Sequence, residues 1–125
     1  MAYSRIAVLV VEDEALVRMG IVDFLEDHHF EVFEADNADA AIRILKSTVR
    51  ICAMFTDVDM PGDVDGLEFA ATVRDRWPPI NIIVTSGRRR FALGDLPVEA
   101  RFFAKPYEPD EIATTVRHMT GSPLH

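Results

Sequence analysis

The stretch "FTDVDMPGDVDG", residues 55–66, carries four carboxylates in twelve positions: Asp57, Asp59, Asp63 and Asp65. It follows the apolar run "ICAMF" without a break. Carboxylates delivered at the end of a buried run suit four ends: holding a hard metal ion, accepting a phosphoryl group, attacking as a hydrolase nucleophile, or forming an acidic turn with no chemistry. Other reactive groups follow other apolar runs. "VLVVEDE" (8–14) ends in Glu12, Asp13 and Glu14, "INIIVTS" (80–86) in Thr85 and Ser86, and "ARFFA" (100–104) is followed by Lys105-Pro106. Acids, hydroxyls and a lysine therefore belong to several separate loops.

Whether they meet depends on the elements that carry them. "RIAVLVV" (5–11), "FEVFEA" (30–35), "ICAMFTD" (51–57), "INIIVTS" (80–86) and "ARFFA" (100–104) read as strands, rich in β-branched and aromatic residues. Between them lie helical patterns. "ALVRMGIVDFLEDH" (15–28) puts Val17, Ile21, Phe24 and Leu25 on one face, and "NADAAIRILKS" (37–47) starts at the N-cap residue Asn37. "LEFAATVRDRW" (67–77) spaces Phe69, Val73 and Trp77 at i, i+4 and i+8 before Pro78-Pro79 ends it. "EPDEIATTVRHM" (108–119) carries Pro109 in its first turn. Alternating strand and helix predicts a parallel sheet covered by helices on both faces, an α/β fold. Such folds place their sites beyond the carboxyl ends of the strands, where the strand order reverses. The reactive groups all fall at that edge.

The whole chain bounds the function. At 125 residues, with 49% apolar and 27% charged residues, it is sized and composed for one globular domain. A net charge of −8 argues against nucleic-acid binding. One cysteine, Cys52, excludes an internal disulfide and suits a reducing compartment. No apolar stretch approaches a membrane span, and the start "MAYSRIAVLVVEDE" turns acidic where a signal peptide would offer a cleavage site, so a cytoplasmic protein is expected.

The pieces "VLVVEDE", "FTDVDMPGDVDGLEF" (55–69), "IIVTSG" (82–87) and "FFAKPY" (102–107), in this order and at these spacings, resemble the receiver domain of bacterial two-component response regulators. The resemblance spans residues 5 to about 119. It implies a flavodoxin-like, doubly wound five-stranded parallel sheet, (βα)5. It implies that Asp57 is the phosphoacceptor for a phosphohistidine on a sensor kinase or phosphotransfer protein. Asp13 and Asp57 would ligate Mg²⁺ directly, Glu12 through water, and Asp59 by its backbone carbonyl. Thr85 would donate to one phosphoryl oxygen and Lys105 would pair with another. Phe102 stands where the family has a switch aromatic, and Lys105-Pro106 where it often has a cis bond. A receiver is a phosphoacceptor and not a conventional enzyme, so its output passes to a downstream protein or a second copy of the chain.

Elementary electrostatics supports the metal. Three carboxylates converging within about 4 Å repel by roughly 4 kcal/mol per pair at an effective dielectric near 20. A hard divalent cation with oxygen ligands offsets that. An acyl phosphate then changes the local charge from −1 to about −2, enough to reorder a loop.

Two stretches depart from the family pattern. "MPGDVDG" has one extra residue between the proline and the closing glycine, and Asp63 and Asp65 read there as turn formers beside glycines. "RRRFALGDLPVEA" (88–100) is where the fourth helix is expected, and Gly94 and Pro97 predict a short or irregular one with little order. An EF-hand frame fails, because its first ligand would be Pro61 and no Glu closes it. Two rivals stand beside the receiver reading. "MFTDVDM" also resembles the nucleophile loop of haloacid-dehalogenase-type phosphatases, although there the motif ends the first strand. A receiver-like interaction module that works without phosphorylation is the other. The expected domain organisation is a single receiver over residues 1–125, with no output domain.

Overall fold

A computed structural model describes residues 5–48, 50–59, 66–87 and 100–121. Five parallel strands, β1 (Ala7–Val11), β2 (Glu31–Ala35), β3 (Ile51–Asp57), β4 (Asn81–Ser86) and β5 (Arg101–Ala104), form one sheet in the order β2-β1-β3-β4-β5. The described helices are α1 (Ala15–Asp27), α2 (Ala38–Ser47), α3 (Gly66–Arg76) and α4 (Pro109–Met119). This is the doubly wound α/β architecture expected, with the order reversing between β1 and β3. The expectations for Asp63, Asp65 and the fourth helix around Gly94 and Pro97 lie outside the described residues.

The central strands are covered on both faces, which is why they read as unbroken apolar runs instead of alternating ones. Every residue of "AVLVV" in β1 is buried. Leu9, Val11, Met54, Ile82 and Val84 pack with α2 and α3, through Leu45, Phe69 and Val73. On the other face Val8, Val10, Phe55 and Ile83 pack with α1 and α4, through Ile21, Leu25, Ile112 and Val116. A large side chain such as Phe55, only 1% exposed, contributes about 1.5–3 kcal/mol by leaving water.

Local signals behave as read. The Asn37 side chain accepts from the Ala40 amide at 2.8 Å, and Pro109 opens α4. One face is corrected. Val17 was expected in the core but is 36% exposed, and Val22 is buried in its place. The helix begins beyond the carboxyl end of β1, so its first turn has little sheet beneath it. Leu16 and Met19 are exposed there as well. None of the described helices is long and apolar enough to cross a membrane.

Candidate phosphoacceptor site

β1 and β3 are neighbours in register, Val11 beside Thr56, so their carboxyl ends release Glu12, Asp13 and Asp57 side by side at the switch point. Each offers a carboxylate oxygen, and these oxygens lie within 4.8 Å of one another. Asp57 is 2% exposed and Glu12 1%, while Asp13 is half-buried. β4 pairs with β3 so that Thr85 sits opposite Asp57, and β5 places Ala104 opposite Ser86, with Lys105 the next residue.

Lys105 reaches into the acids. Its Nζ donates to Asp57 Oδ2 at 2.7 Å and lies 3.8 Å from Glu12 Oε1. Burial works against the Lys105 ammonium, but the hydrogen bond and charge of Asp57, followed by Glu12 and Asp59, outweigh it and hold its pKa above the ordinary lysine value. Lys105 is therefore charged at neutral pH. The Lys105-Pro106 peptide bond is cis, as the resemblance led one to expect.

The pocket remains short of positive charge. Burial pushes the Glu12 carboxyl up to about 7; the Glu14 amide pulls it down, and the charge of Asp57 pushes it up again. Glu12 Oε1 is buried without a hydrogen-bond partner among the described residues. A buried carboxylate oxygen without a hydrogen bond, beside two further carboxylates, fits a hard divalent cation. Thr85 Oγ1 is likewise buried without a partner among the described residues. An orphaned hydroxyl next to Asp57 is a donor waiting for an acceptor.

Asp59 does more than the sequence suggested. Its amide donates to Asp57 Oδ1 at 2.8 Å. Its carboxylate accepts from Ser86 Oγ at 2.7 Å and from the Gly87 amide at 2.8 Å. Asp59 thus ties the loop after β3 to the loop after β4, a role that only the pairing of those strands reveals. Phe102 packs on the α2–α3 face, whereas Tyr107 packs on the α1–α4 face, edge-on to Phe55 with ring centroids 5.3 Å apart.

A doubly wound α/β chain with an acid triad, a lysine and a buried threonine converging at its switch point defines a class, the phosphoacceptor domains. The chain matches the response regulator receiver domain family over residues 8–117 and belongs to it. Among curated relatives, it is 35% identical over 116 residues to the sensor kinase CckA of Brucella abortus, covering 90% of this chain and 12% of that protein. It spans less than half the length of the other curated relatives compared. A response regulator receiver protein from Pseudomonas putida superposes with a TM-score of 0.81 at 28% identity, over 94% of this chain and 99% of that one. One from Sinorhizobium medicae gives a TM-score of 0.83 at 24% identity, over 97% and 98% of the two chains, a likeness of fold. These relatives give the phosphatase reading no support, and the D-x-D motif stands at the end of β3.

Proposed function

We propose that Asp57 accepts a phosphoryl group from a phosphohistidine on a sensor kinase or phosphotransfer protein, and that the modified domain presents a changed surface to a partner. The observation that carries this is the buried Asp57 carboxylate, held at 2.7 Å by Lys105 and clustered with Glu12 and Asp13. An Asp57 oxygen forms the new bond to phosphorus as the donor's P–N bond breaks, and the departing imidazole keeps the electron pair. Lys105 neutralises one phosphoryl oxygen and the Thr85 hydroxyl donates to another. Glu12, Asp13, Asp57 and the backbone carbonyl of Asp59 would hold Mg²⁺, Glu12 through water. When bound, the ion neutralises charge on the transferring group. The receiver core is assigned to residues 5–119.

The test is intact mass before and after acetyl phosphate with Mg²⁺. One phosphoryl mass is expected on the wild type and none on Asp57→Asn. An unlabelled wild type would favour the phosphorylation-independent module.

The donor protein meets the exposed face of α1. Leu16 is 83% and Met19 54% exposed, and Met19 and Gly20 lie three and four residues beyond Leu16, on its side of the helix. A Cβ built on Gly20 would meet nothing within 4 Å among the described residues, so no contact with them requires glycine there. Glycine inside a helix costs about 1 kcal/mol relative to alanine, and its bare surface lets a partner helix come close. Leu16→Glu is expected to slow transfer from a phosphorylated protein donor at least tenfold, roughly the loss of one buried apolar contact. Transfer from acetyl phosphate should be unchanged, and equal slowing by both donors would remove α1 from the docking surface.

Thr85→Val separates folding from signalling. It keeps the shape and removes the orphaned hydroxyl, so the unphosphorylated domain should gain about 1 kcal/mol in denaturant unfolding. Asp57 should still be labelled, while the NMR shift response near Phe102 that is coupled to phosphorylation through Thr85 should be lost. A response equal to that of the wild type would exclude Thr85 from the coupling to Phe102.

A further inference from the structure

Arg18 stands on the second turn of α1, outside the acid cluster, with 18% of its side chain exposed. Its Nη1 donates to the Glu12 backbone carbonyl at 2.9 Å, and its Nε donates to Glu34 Oε1 at 3.0 Å. Glu34 belongs to β2 and is 51% exposed, so the ion pair alone adds little to stability. The bond to the carbonyl is the informative one.

Glu12 is fixed at every other polar atom but one. Its amide donates to the Ala35 carbonyl at 3.0 Å, and its Oε2 accepts from the Glu14 amide at 3.0 Å. With Arg18 on the carbonyl, only Oε1 is left without a hydrogen-bond partner among the described residues, and it lies in the cluster 3.8 Å from Lys105 Nζ. The Glu12 carbonyl and the Asp13 amide share one rigid peptide plane. Whatever holds that carbonyl therefore sets the direction of both acids.

We infer that Arg18 is a positioning residue for divalent-cation binding, orienting the Glu12–Asp13 peptide plane through its bond to the Glu12 carbonyl while Glu34 fixes its guanidinium. This rests on the metal reading proposed above. The planar guanidinium serves both acceptors at once, a geometry that the single ammonium of lysine does not reproduce. Groups that orient metal ligands without touching the ion typically change affinity by about 10–100-fold.

The experiment uses Mn²⁺ as the probe, followed by the loss of the free-ion paramagnetic resonance signal on titration into the whole chain. Arg18→Met keeps the apolar stem and is expected to bind about tenfold more weakly than wild type. Glu34→Gln, which loosens only the far end of the fork, should weaken binding by less. Val22→Ala serves as the control, because it removes core contacts from the same helix. It should lower the unfolding temperature and leave the Mn²⁺ affinity unchanged. Arg18→Met binding within about twofold of wild type would overturn the inference, as would an equal loss in Val22→Ala. A wild type that takes up no Mn²⁺ would instead remove the metal reading, and the inference with it.

Discussion

Lys105→Met should slow phosphorylation of Asp57 by acetyl phosphate about a hundredfold, the scale on which enzymes lose rate when one preorganised electrostatic donor is removed. The ammonium sits 2.7 Å from the attacking carboxylate, where it can meet a phosphoryl oxygen with no reorganisation of water. Its position is fixed from both ends. The Lys105 amide donates to the Ser86 carbonyl at 3.0 Å, which anchors the backbone at the end of β5. Its stem passes Gly87 closely, since a Cβ there would come within 3.4 Å of the Lys105 Cβ and 3.5 Å of its Cδ. Methionine preserves that stem and removes the charge. Divalent-cation affinity should move the other way, because Asp57 loses a competing cation. Arg18→Met is expected to weaken the metal and Lys105→Met to tighten it, so one titration separates the two basic residues. Phosphorylation of Lys105→Met at the wild-type rate would show that Lys105 only balances charge in the resting pocket.

Gly66→Ala should destabilise the domain by about 3 kcal/mol, at the top of the range for overpacking a tight site. Its Cβ would lie 2.5 Å from Val58 Cα, 2.7 Å from Val58 Cβ and 2.8 Å from Val58 O. Two of those atoms are backbone and cannot swing away. Val58 is itself only 1% exposed, and its amide donates to the Thr85 carbonyl at 3.0 Å, so the displaced chain has nowhere to go without breaking the link to β4. Val58 lies between Asp57 and Asp59, and the strain therefore reaches the acceptor as well as the fold. Denaturant unfolding should show an earlier midpoint, and labelling by acetyl phosphate should slow in the surviving folded protein. A change within about 0.5 kcal/mol, the range of ordinary surface substitutions, would mean that α3 can retreat from Val58 freely.

Gly66 also shows a role that the sequence did not reveal. In "DVDG" it was only the neighbour of turn-forming acids, whereas the structure uses it for the close approach of α3 to the loop after β3. The strands were legible because burial on both faces leaves a run such as "AVLVV" uninterrupted. Asn37 and Pro109 were legible because their effects are local. Asp57, Glu12, Asp13, Thr85 and Lys105 were placed together on the assumption that all strand ends share one edge, and the parallel order β2-β1-β3-β4-β5 brings them there. What escaped depends on contacts between elements distant in the chain. The Asp59 bridge to Ser86 and Gly87 spans β3 and β4, and the Arg18 link to Glu34 requires knowing that Val11 and Ala35 are neighbours. Val17 and Val22 exchanged places because helical periodicity defines a face but not how far the sheet extends beneath it. The sides of the sheet that Phe102 and Tyr107 reach were not legible for a similar reason, since proximity in sequence does not settle them.

The labelling and signalling expectations depend on Asp57 carrying the phosphoryl group. Borohydride reduction of the labelled protein followed by peptide mapping tests this most directly, because an acyl phosphate on aspartate is reduced to the alcohol, leaving homoserine. After treatment with acetyl phosphate and Mg²⁺, homoserine is expected at position 57 and at no other aspartate, with none formed when Mg²⁺ is removed by chelation. An intact aspartate at position 57 in protein that has gained a phosphoryl mass would contradict the assignment.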